Sequence, residues 1–301
     1  MKVGMFYSDS PYASWSQSQG FGDVLRRMGC EVVEVPIPPG NKFTRKVVDR
    51  VNVSRQALES CDVIIVSGPE HVKAWIRQFY PYWRELKVPK VAWYHESFIR
   101  EDYKLDFAEY EFWYDHHFFP DSDDAERFGG TQLTLGIDTG MFNCYGEARR
   151  DVDCAFIGLM YPKRQRFHEE LKPLLNGIDL QVRAGTIMVQ DFDGINGRKS
   201  AELLAETYRR IKVFVAFPSV SNVLVAKLLE APACGCALIA PKNPKVPTVA
   251  KFEYETADEC ASMIRRALKH PTCNKSGVES ERMETKLEKI FAKVGLTECV
   301  S

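Results

Sequence analysis

Lys227 and Glu230 stand three residues apart in a segment, 222–234, that we predict to be helical. Side chains three positions apart lie on one face of a helix, so this helix would present a cation and a carboxylate together. A lysine answers the charge of a phosphate group, and a carboxylate can accept hydrogen bonds from two ribose hydroxyls. The pair therefore indicates a nucleoside diphosphate site. The alternative is an ordinary surface ion pair with the same spacing.

The loop in front of this helix follows an apolar run, 213–217, that has the length of a strand. Its small polar residues, among them Ser221 and Asn222, can cap the helix. The free amides at the helix start would then face an anion. The order of strand, polar loop and helix therefore adds to the indication of a phosphate site.

Three further cations follow another apolar run, 152–157, which ends at Gly158. Lys163, Arg164 and Arg166 cluster at the expected start of a helix, where the helix dipole disfavours positive charge. A bound diphosphate would remove that conflict. Any one of these side chains could simply extend into solvent, but the cluster favours phosphate binding.

Strands and helices alternate along both halves of the chain. Short apolar runs such as 2–6 and 63–66 are separated by helical patterns, and the alternation starts again at 152. This order predicts an α/β fold with parallel sheets and covering helices. The glycine-rich stretch 136–150 has neither hydrophobic period and suits a linker. We therefore predict two Rossmann-like domains with a boundary near 145.

Two stretches resemble motifs of GT-B glycosyltransferases, especially spore-maturation-type and group 1-like bacterial and phage enzymes. One has a basic residue, then Glu, Ala and Gly at fixed spacing, and the other is a Leu-Gly-x-Asp-x-x-x-Phe stretch. The matching residues are Lys227, Glu230, Ala231 and Gly235 in the first and Leu135, Gly136, Asp138 and Phe142 in the second. The resemblance implies a GT-B architecture, in which two Rossmann-like domains face a cleft.

The resemblance also implies how the domains share the work. Residues 1–145 would form the acceptor domain and residues 146–275 the nucleotide-sugar donor domain, with 276–301 as a helix that could return to the first domain. A sugar would pass from the nucleotide-sugar donor, a UDP-sugar by preference, to an acceptor hydroxyl. Whether a hexose or a pentose moves stays open at this point.

The same resemblance assigns roles within the donor domain. Glu230 would bind the donor ribose and Lys227 would approach the diphosphate. The loop after the first strand of the domain would contribute Gly158, Lys163 and Arg164. Many retaining relatives carry a second glutamate where this chain has Asn222, so an inverting and a retaining outcome both remain open.

Candidate catalytic groups follow strands of the first half, where open α/β sheets bind their ligands. Asp9, His95 and Glu96 lie at predicted strand ends, and each could deprotonate or orient an acceptor hydroxyl. Gly20 and Gly22 end a polar loop and could let the backbone approach the donor. A plain flexible loop is the alternative for the two glycines.

A basic stripe suggests an anionic acceptor. Lys42, Arg45, Lys46 and Arg50 lie near one face of a predicted helix and could meet phosphates. DNA with hydroxymethylated bases or an anionic membrane-linked acceptor would suit the stripe, and a solvated helix face is the alternative. Residues 1–140 hold 16 Lys and Arg against 21 Asp and Glu, so the second half of this chain of net charge −1 is the basic one.

The sequence argues against a membrane protein, a disulfide-rich protein and a metal-dependent transferase. The chain of 301 residues has no apolar run near the roughly 20 residues of a membrane span, and it starts as a strand, so we expect a cytoplasmic protein. Its nine cysteines suggest reduced core residues. Asp191 and Asp193 match the metal-binding Asp-x-Asp of GT-A enzymes but fall in the second repeated unit. We expect no metal and no cofactor besides the donor.

Two other functions remain open from the sequence. A nucleotide-sugar epimerase or hydrolase shares the fold and the donor but needs no acceptor. A noncatalytic module that binds nucleotides or nucleic acid is compatible with Asn222 and with the unassigned catalytic base. Analysis of products, and of donor binding without turnover, distinguishes these functions from sugar transfer.

Overall fold

The chain folds into two units in the computed structural model. It describes residues 1–9, 14–37, 53–98, 106–145, 149–184, 197–219, 224–243, 249–250, 252–272 and 275–296. Unit 1 comprises Met1–Gly136 and Met283–Ser301, and unit 2 comprises Ile137–Arg282. The division lies nine residues before the position expected from the linker composition, and the last segment of the chain belongs to unit 1.

Unit 1 is built on a sheet of six parallel strands. These are β1 (Lys2–Ser8), β2 (Glu31–Ile37), β3 (Val63–Ser67), β4 (Lys90–Trp93), β5 (His116–Phe119) and β6 (Thr131–Gln132), in the order β2-β1-β3-β4-β5-β6. Its first helices are α1 (Gln19–Arg27), α2 (Arg55–Glu59), α3 (Pro69–Phe79) and α4 (Ser122–Phe128). The alternation of strand and helix explains the parallel pairing, because each crossover returns the chain to the end of the sheet at which the previous strand began.

Unit 2 is built on a second, five-stranded parallel sheet. Its strands are β7 (Val152–Gly158), β8 (Leu180–Ala184), β9 (Ile211–Val215), β10 (Ala237–Pro241) and β11 (Phe252–Tyr254), in the order β11-β10-β9-β7-β8. Its helices are α5 (Pro162–Leu171), α6 (Gly197–Arg210), α7 (Lys227–Ala233), α8 (Ala257–Lys269) and α9 (Lys275–Ser280). A last helix, α10 (Met283–Lys293), belongs to unit 1.

The sheet of unit 1 is covered on both faces, which explains its continuous apolar strands. In β3, Val63 and Ile65 pack in one core, and Ile64 and Val66 pack in the other. This alternation follows from the period of two along a strand. Helix α10 completes the first of these cores with Met283, Leu287, Ile290 and Phe291.

The strand order reverses once in each sheet, which defines a switch point. In unit 1 the chain goes from β1 outwards to β2 and then returns to β3 on the other side of β1. In unit 2 it goes from β7 outwards to β8 and returns to β9 on the other side of β7. Loops after the two central strands diverge at such a point and leave room for a ligand beyond their carboxyl ends.

The motif helix is shorter than predicted. We expected it over 222–234, and the structure begins α7 at Lys227 and ends it at Ala233. Residues 225–228 form a tighter turn first, in which the Leu228 amide donates to the Val225 carbonyl oxygen at 2.9 Å. The predicted capping residues, Ser221 and Asn222, lie outside the described residues. In the described part of the chain, no helix is long and apolar enough to cross a membrane.

Candidate functional site

The switch point of unit 2 is organised around Gly158, the last residue of β7. Gly158 has a φ of +149°, which a residue with a side chain rarely adopts. A Cβ atom here would lie 2.6 Å from Nζ of Lys227 and 3.7 Å from Nη1 of Arg164. Glycine is therefore needed both for the backbone and for the space, and two cations converge on the end of β7.

Arg164 connects the loops that follow β7 and β9. Its side chain is buried in the first turn of α5. Nη1 donates to the Leu159 carbonyl oxygen at 2.9 Å and Nε donates to the Pro218 carbonyl oxygen at 3.3 Å. The guanidinium group also lies over the Tyr161 ring, 4.3 Å from its centroid. Burial lowers the pKa of Arg164, yet an arginine keeps its charge, so this site holds a fixed cation.

Lys227 brings a second, titratable cation to the same place. It is the first residue of α7, and its ammonium group lies 3.4 Å from the Ile157 carbonyl oxygen and 4.9 Å from the centroid of the Phe156 ring. Burial, followed by the nearby charge of Arg164, lowers the pKa of Lys227 to about 7, against the opposing effect of Glu230. At neutral pH the lysine is therefore divided between its charged and neutral forms.

Among the described residues, neither cation forms a hydrogen bond with a carboxylate, although the charge of Glu230 acts on Lys227. Within the described residues, the hydrogen-bond acceptors of Arg164 and Lys227 are backbone carbonyl oxygens rather than carboxylates. Removing charge from water without an opposite charge is unfavourable, and each cation raises the cost of the other. A bound anion would relieve both penalties, so the geometry fits a phosphate or diphosphate group.

Lys163 and Glu230 lie around this pair. Lys163 is exposed, and its ammonium group donates to the Ser219 carbonyl oxygen at 3.0 Å, in the loop after β9. Glu230 lies one turn along α7 from Lys227 and is buried, with 4% of its surface exposed. Tyr208 Oη donates to Glu230 Oε2 at 3.5 Å. Because Glu230 is buried, an exposed ion pair with Lys227 does not describe this helix.

The switch point of unit 1 collects different chemistry. Ser67 ends β3, and its Oγ donates to the Gln17 carbonyl oxygen at 2.8 Å and lies 3.0 Å from Nε2 of His95. Gly68 follows with a φ of +67°, and a Cβ atom there would lie 3.1 Å from both His95 Nδ1 and His71 Cδ2. Two imidazole rings therefore flank the space above Gly68.

One carboxylate oxygen accepts hydrogen bonds from the backbone amides of both His95 and Glu96. Their amides donate to Glu70 Oε1 at 2.8 Å and 3.1 Å, and the Glu70 side chain is fully buried at the start of α3. Burial, followed by the charge of His71, lowers the pKa of His95 to about 3, so its imidazole is neutral at ordinary pH. Burial raises the pKa of Glu70, partly opposed by His71 and by the amides that donate to it.

The other predicted residues of unit 1 are placed separately. Asp9 follows β1, and its Oδ1 accepts from Gln19 Nε2 at 3.2 Å. Gly20 and Gly22 are buried in α1, where an added Cβ atom would overlap the Trp15 ring and the Glu34 carboxylate. In this structure the two glycines allow close packing of the chain on itself. The predicted basic residues Lys42, Arg45, Lys46 and Arg50 lie outside the described residues.

Sequence reasoning missed Ser67, Glu70 and the Gln17 carbonyl as parts of this site. The Gly-Pro-Glu order at 68–70 is a helix-start signal after a strand, with proline and an acidic residue in the first turn. That signal places Glu70 at the edge of the sheet. It does not show that the carboxylate turns inwards towards the loop after β4, because that loop is 25 residues further along the chain.

Solved structures share this fold over nearly the whole chain. AviGT4, a glycosyltransferase involved in avilamycin A biosynthesis, is 14% identical with a TM-score of 0.61, covering 98% of this chain and 97% of its own. An alpha-glucosyltransferase in complex with UDP and a 13-mer DNA is 14% identical with a TM-score of 0.68, covering 98% and 100%. HepE from Anabaena in complex with UDP-glucose is 12% identical with a TM-score of 0.59, covering 98% and 99%.

Other chemistry occurs on the same fold. A UDP-N-acetylglucosamine 2-epimerase is 10% identical with a TM-score of 0.50, covering 98% of this chain and 97% of its own. Neither a protein-family model nor a curated protein matches the sequence. At these identities the likeness concerns the fold, and the predicted GT-B architecture of two Rossmann-like domains is confirmed.

Proposed function

We propose that this protein is a glycosyltransferase that moves a sugar from a UDP-sugar to an acceptor hydroxyl. The observation that supports this most is the convergence of Arg164 and Lys227 on Gly158, at the switch point of a Rossmann-like unit. UDP is present in the alpha-glucosyltransferase structure and UDP-glucose in the HepE structure, both of which have this fold. The two cations match the charge of a sugar diphosphate.

Each residue of the donor site has a chemical task in this proposal. Gly158 lets the diphosphate approach the end of β7, and Arg164 and Lys227 bind its oxygens. Lys163, at the edge of the same loop, adds positive charge. Glu230 accepts hydrogen bonds from the ribose hydroxyls, while Ser221 and Asn222 precede α7 and contact the donor.

The same charges support metal-independent transfer. The bond to the sugar breaks as negative charge accumulates on the leaving diphosphate, and groups placed at that charge lower the barrier. Arg164 and Lys227 supply the positive charge that a divalent cation provides in other transferases. The transferred group in this proposal is a hexose, and the enzyme is of the spore-maturation or group 1-like kind that its motif resembles.

The acceptor hydroxyl is handled by unit 1. His95, Glu96 and Asp9 follow strands of its sheet and are the candidate groups that orient the hydroxyl or receive its proton. A neutral imidazole can accept a hydrogen bond at one ring nitrogen, which makes His95 the first choice for orienting the hydroxyl. Its pKa of about 3 makes it a weak acceptor of the proton itself, so Glu96 and Asp9 are the candidates for that step. We place the enzyme in the cytoplasm, where nucleotide-sugars are available.

DNA with hydroxymethylated bases is the second proposal for the acceptor. The alpha-glucosyltransferase with a TM-score of 0.68 is in complex with DNA, and residues 42–50 carry four cations within nine positions. A glycosylation assay with hydroxymethylated and unmodified duplexes tests this acceptor. Transfer to neither duplex, with transfer to another hydroxyl compound, removes DNA from the proposal.

The donor class is tested by thermal shift and calorimetry with UDP-, GDP-, CMP- and dTDP-sugars. A ligand at about 100 times its Kd stabilises the folded state by about 2.7 kcal/mol, which is readily measured. We expect selective stabilisation by a UDP-sugar. Products then separate the alternatives: an epimerised sugar indicates an epimerase, free sugar a hydrolase, and binding without turnover a noncatalytic module.

A further inference from the structure

We infer that Ser67 and Glu70 are positioning residues that hold His95 in one tautomer and one ring orientation at the switch point of unit 1. The effect on catalysis rests on the proposed transfer reaction. The tautomer itself is a property of the free protein and stands independently of that reaction.

The tautomer follows from a count of protons. The Gln17 carbonyl oxygen carries no proton, so its 2.8 Å contact with Ser67 Oγ requires the hydroxyl proton of Ser67. Ser67 Oγ also lies 3.0 Å from His95 Nε2, and its only proton is already used. Nε2 must therefore carry the proton and donate it to Ser67. In a neutral ring, the other nitrogen, Nδ1, is then left with a free lone pair.

The free lone pair faces the space that Gly68 leaves open. A Cβ atom at Gly68 would lie 3.1 Å from His95 Nδ1, which is closer than an ordinary contact, and the φ of +67° also favours glycine there. His71 borders the same space from α3, and its side chain is exposed. A donor group of a substrate, such as a hydroxyl, can use this space to approach Nδ1.

Glu70 fixes the backbone that carries the imidazole. Its Oε1 accepts the amides of His95 and Glu96, which sets the direction in which both side chains leave the loop. The side chain is fully buried, and Oε2 has no hydrogen-bond partner among the described residues. An acid buried with one oxygen unpaired is costly for stability, so its benefit lies in the geometry that it imposes.

Burial, followed by the charge of His71, keeps the His95 ring neutral. The titratable groups that face it are Glu70 and His71 from α3 and the neighbouring Glu96. Burial and the His71 charge place the pKa of His95 at about 3, so the ring stays uncharged well below neutral pH. Between pH 5 and 8 we therefore expect no titration of His95 in the free protein, and one tautomer throughout.

Nitrogen-15 NMR of selectively labelled histidine tests the tautomer directly. In the wild-type protein we expect the His95 signals of a neutral ring protonated at Nε2. In Ser67→Ala the ring should populate both tautomers, and in Ser67→Thr, which keeps the hydroxyl, the single tautomer should return. A wild-type ring protonated at Nδ1, or an equal mixture, would overturn the inference whether or not transfer activity is found.

Kinetics tests the positioning role. In Ser67→Ala and Glu70→Ala we expect kcat to fall about 10- to 100-fold, as for other residues that orient a functional group, while the Kd for UDP stays within about twofold. Glu70→Gln keeps an acceptor oxygen for the two amides and should retain most of the activity. Ser67→Thr should recover most of the loss. A fall in the unfolding temperature with unchanged kcat would show a purely structural role, and an equal effect of Ser67→Thr and Ser67→Ala would contradict the hydroxyl's part.

Discussion

The two switch points differ in chemistry although they occupy the same place in their sheets. Each has a glycine with positive φ at or just after the end of a central strand, with φ of +149° at Gly158 and +67° at Gly68. The space beside Gly158 is bordered by Lys227 and Arg164, and the space beside Gly68 by His71 and His95. A common topology therefore creates the room, and the surrounding side chains decide which ligand it suits.

Burial lowers the pKa of a basic side chain at both switch points, but the resulting protonation states differ. It lowers the pKa of Lys227 to about 7 and that of His95 to about 3. The lysine remains able to take up a proton when an anion arrives, whereas the imidazole stays neutral and offers a lone pair. Unit 2 thus suits a diphosphate, and unit 1 suits a hydroxyl group.

The largest effect is expected from closing the space in unit 2. In Gly158→Ala the new methyl group displaces the Lys227 ammonium group and strains the backbone, and we expect UDP affinity to fall at least about 100-fold. Gly177→Ala is the matched control, because Gly177 has a φ of +88° and no atom within 4 Å of an added Cβ. Calorimetry with UDP should show loss in the first variant only. Equal loss in both would mean that backbone strain, not the site, controls binding.

Removal of the fixed cation should have the next largest effect. Arg164→Met keeps the bulk of the side chain and removes its charge-assisted hydrogen bonds, each of which contributes about 1.5 to 3 kcal/mol. We expect UDP affinity to fall about 10- to 100-fold, as measured by calorimetry. Arg166→Met, in an exposed position of the same helix, is the control and should bind UDP normally. Normal binding by Arg164→Met would remove this residue from the donor site.

The titration of Lys227 predicts a pH dependence of donor affinity. In the protein without ligand, Lys227 has a pKa of about 7. A bound diphosphate favours the charged form of the side chain and therefore raises that pKa. Affinity for UDP-glucose should therefore be level below pH 7 and fall by up to about tenfold per pH unit above it. Lys227→Arg, which does not titrate, should abolish the slope. An affinity of the wild type that is constant from pH 7 to 9 would contradict this role.

The smallest effect is expected on the preference for ribose over 2′-deoxyribose in the nucleotide. Glu230→Gln keeps the size of the side chain but weakens its acceptance of ribose hydroxyls, so the preference for UDP over 2′-deoxy-UDP should fall by about tenfold or less. Competition between the two nucleotides measures the ratio. Tyr208→Phe, which removes only the 3.5 Å hydrogen bond to Glu230, should change the ratio less. An unchanged ratio in Glu230→Gln would place the ribose elsewhere.

Much of the fold and part of the candidate site in unit 2 could be predicted from the sequence. The alternation of strands and helices predicted the two parallel sheets, because strands and helices each have a local hydrophobic pattern that can be recognised in the sequence. Gly158, Lys163, Arg164, Lys227 and Glu230 were predicted to bind the donor. The structure places the first four at the loops after β7 and β9, with Glu230 one turn along α7, and their role in donor binding stays a prediction.

The remaining features are not reported by helix propensity or by the hydrophobic pattern. The start of α7 was predicted five positions too early, since helix propensity does not report the turn at 225–228. Gly20 and Gly22 were predicted to approach a ligand, and they pack against Trp15 and Glu34. The Ser67–His95 contact joins residues 28 positions apart, so no local pattern reveals it.

A crystal structure of the protein with UDP tests the central claim most directly. The account predicts that the diphosphate lies beside Gly158, with its oxygens within hydrogen-bond distance of Arg164 and Lys227 and the ribose hydroxyls at Glu230. UDP bound away from the end of β7, with Arg164 and Lys227 still bonded only to backbone carbonyl oxygens, would contradict it.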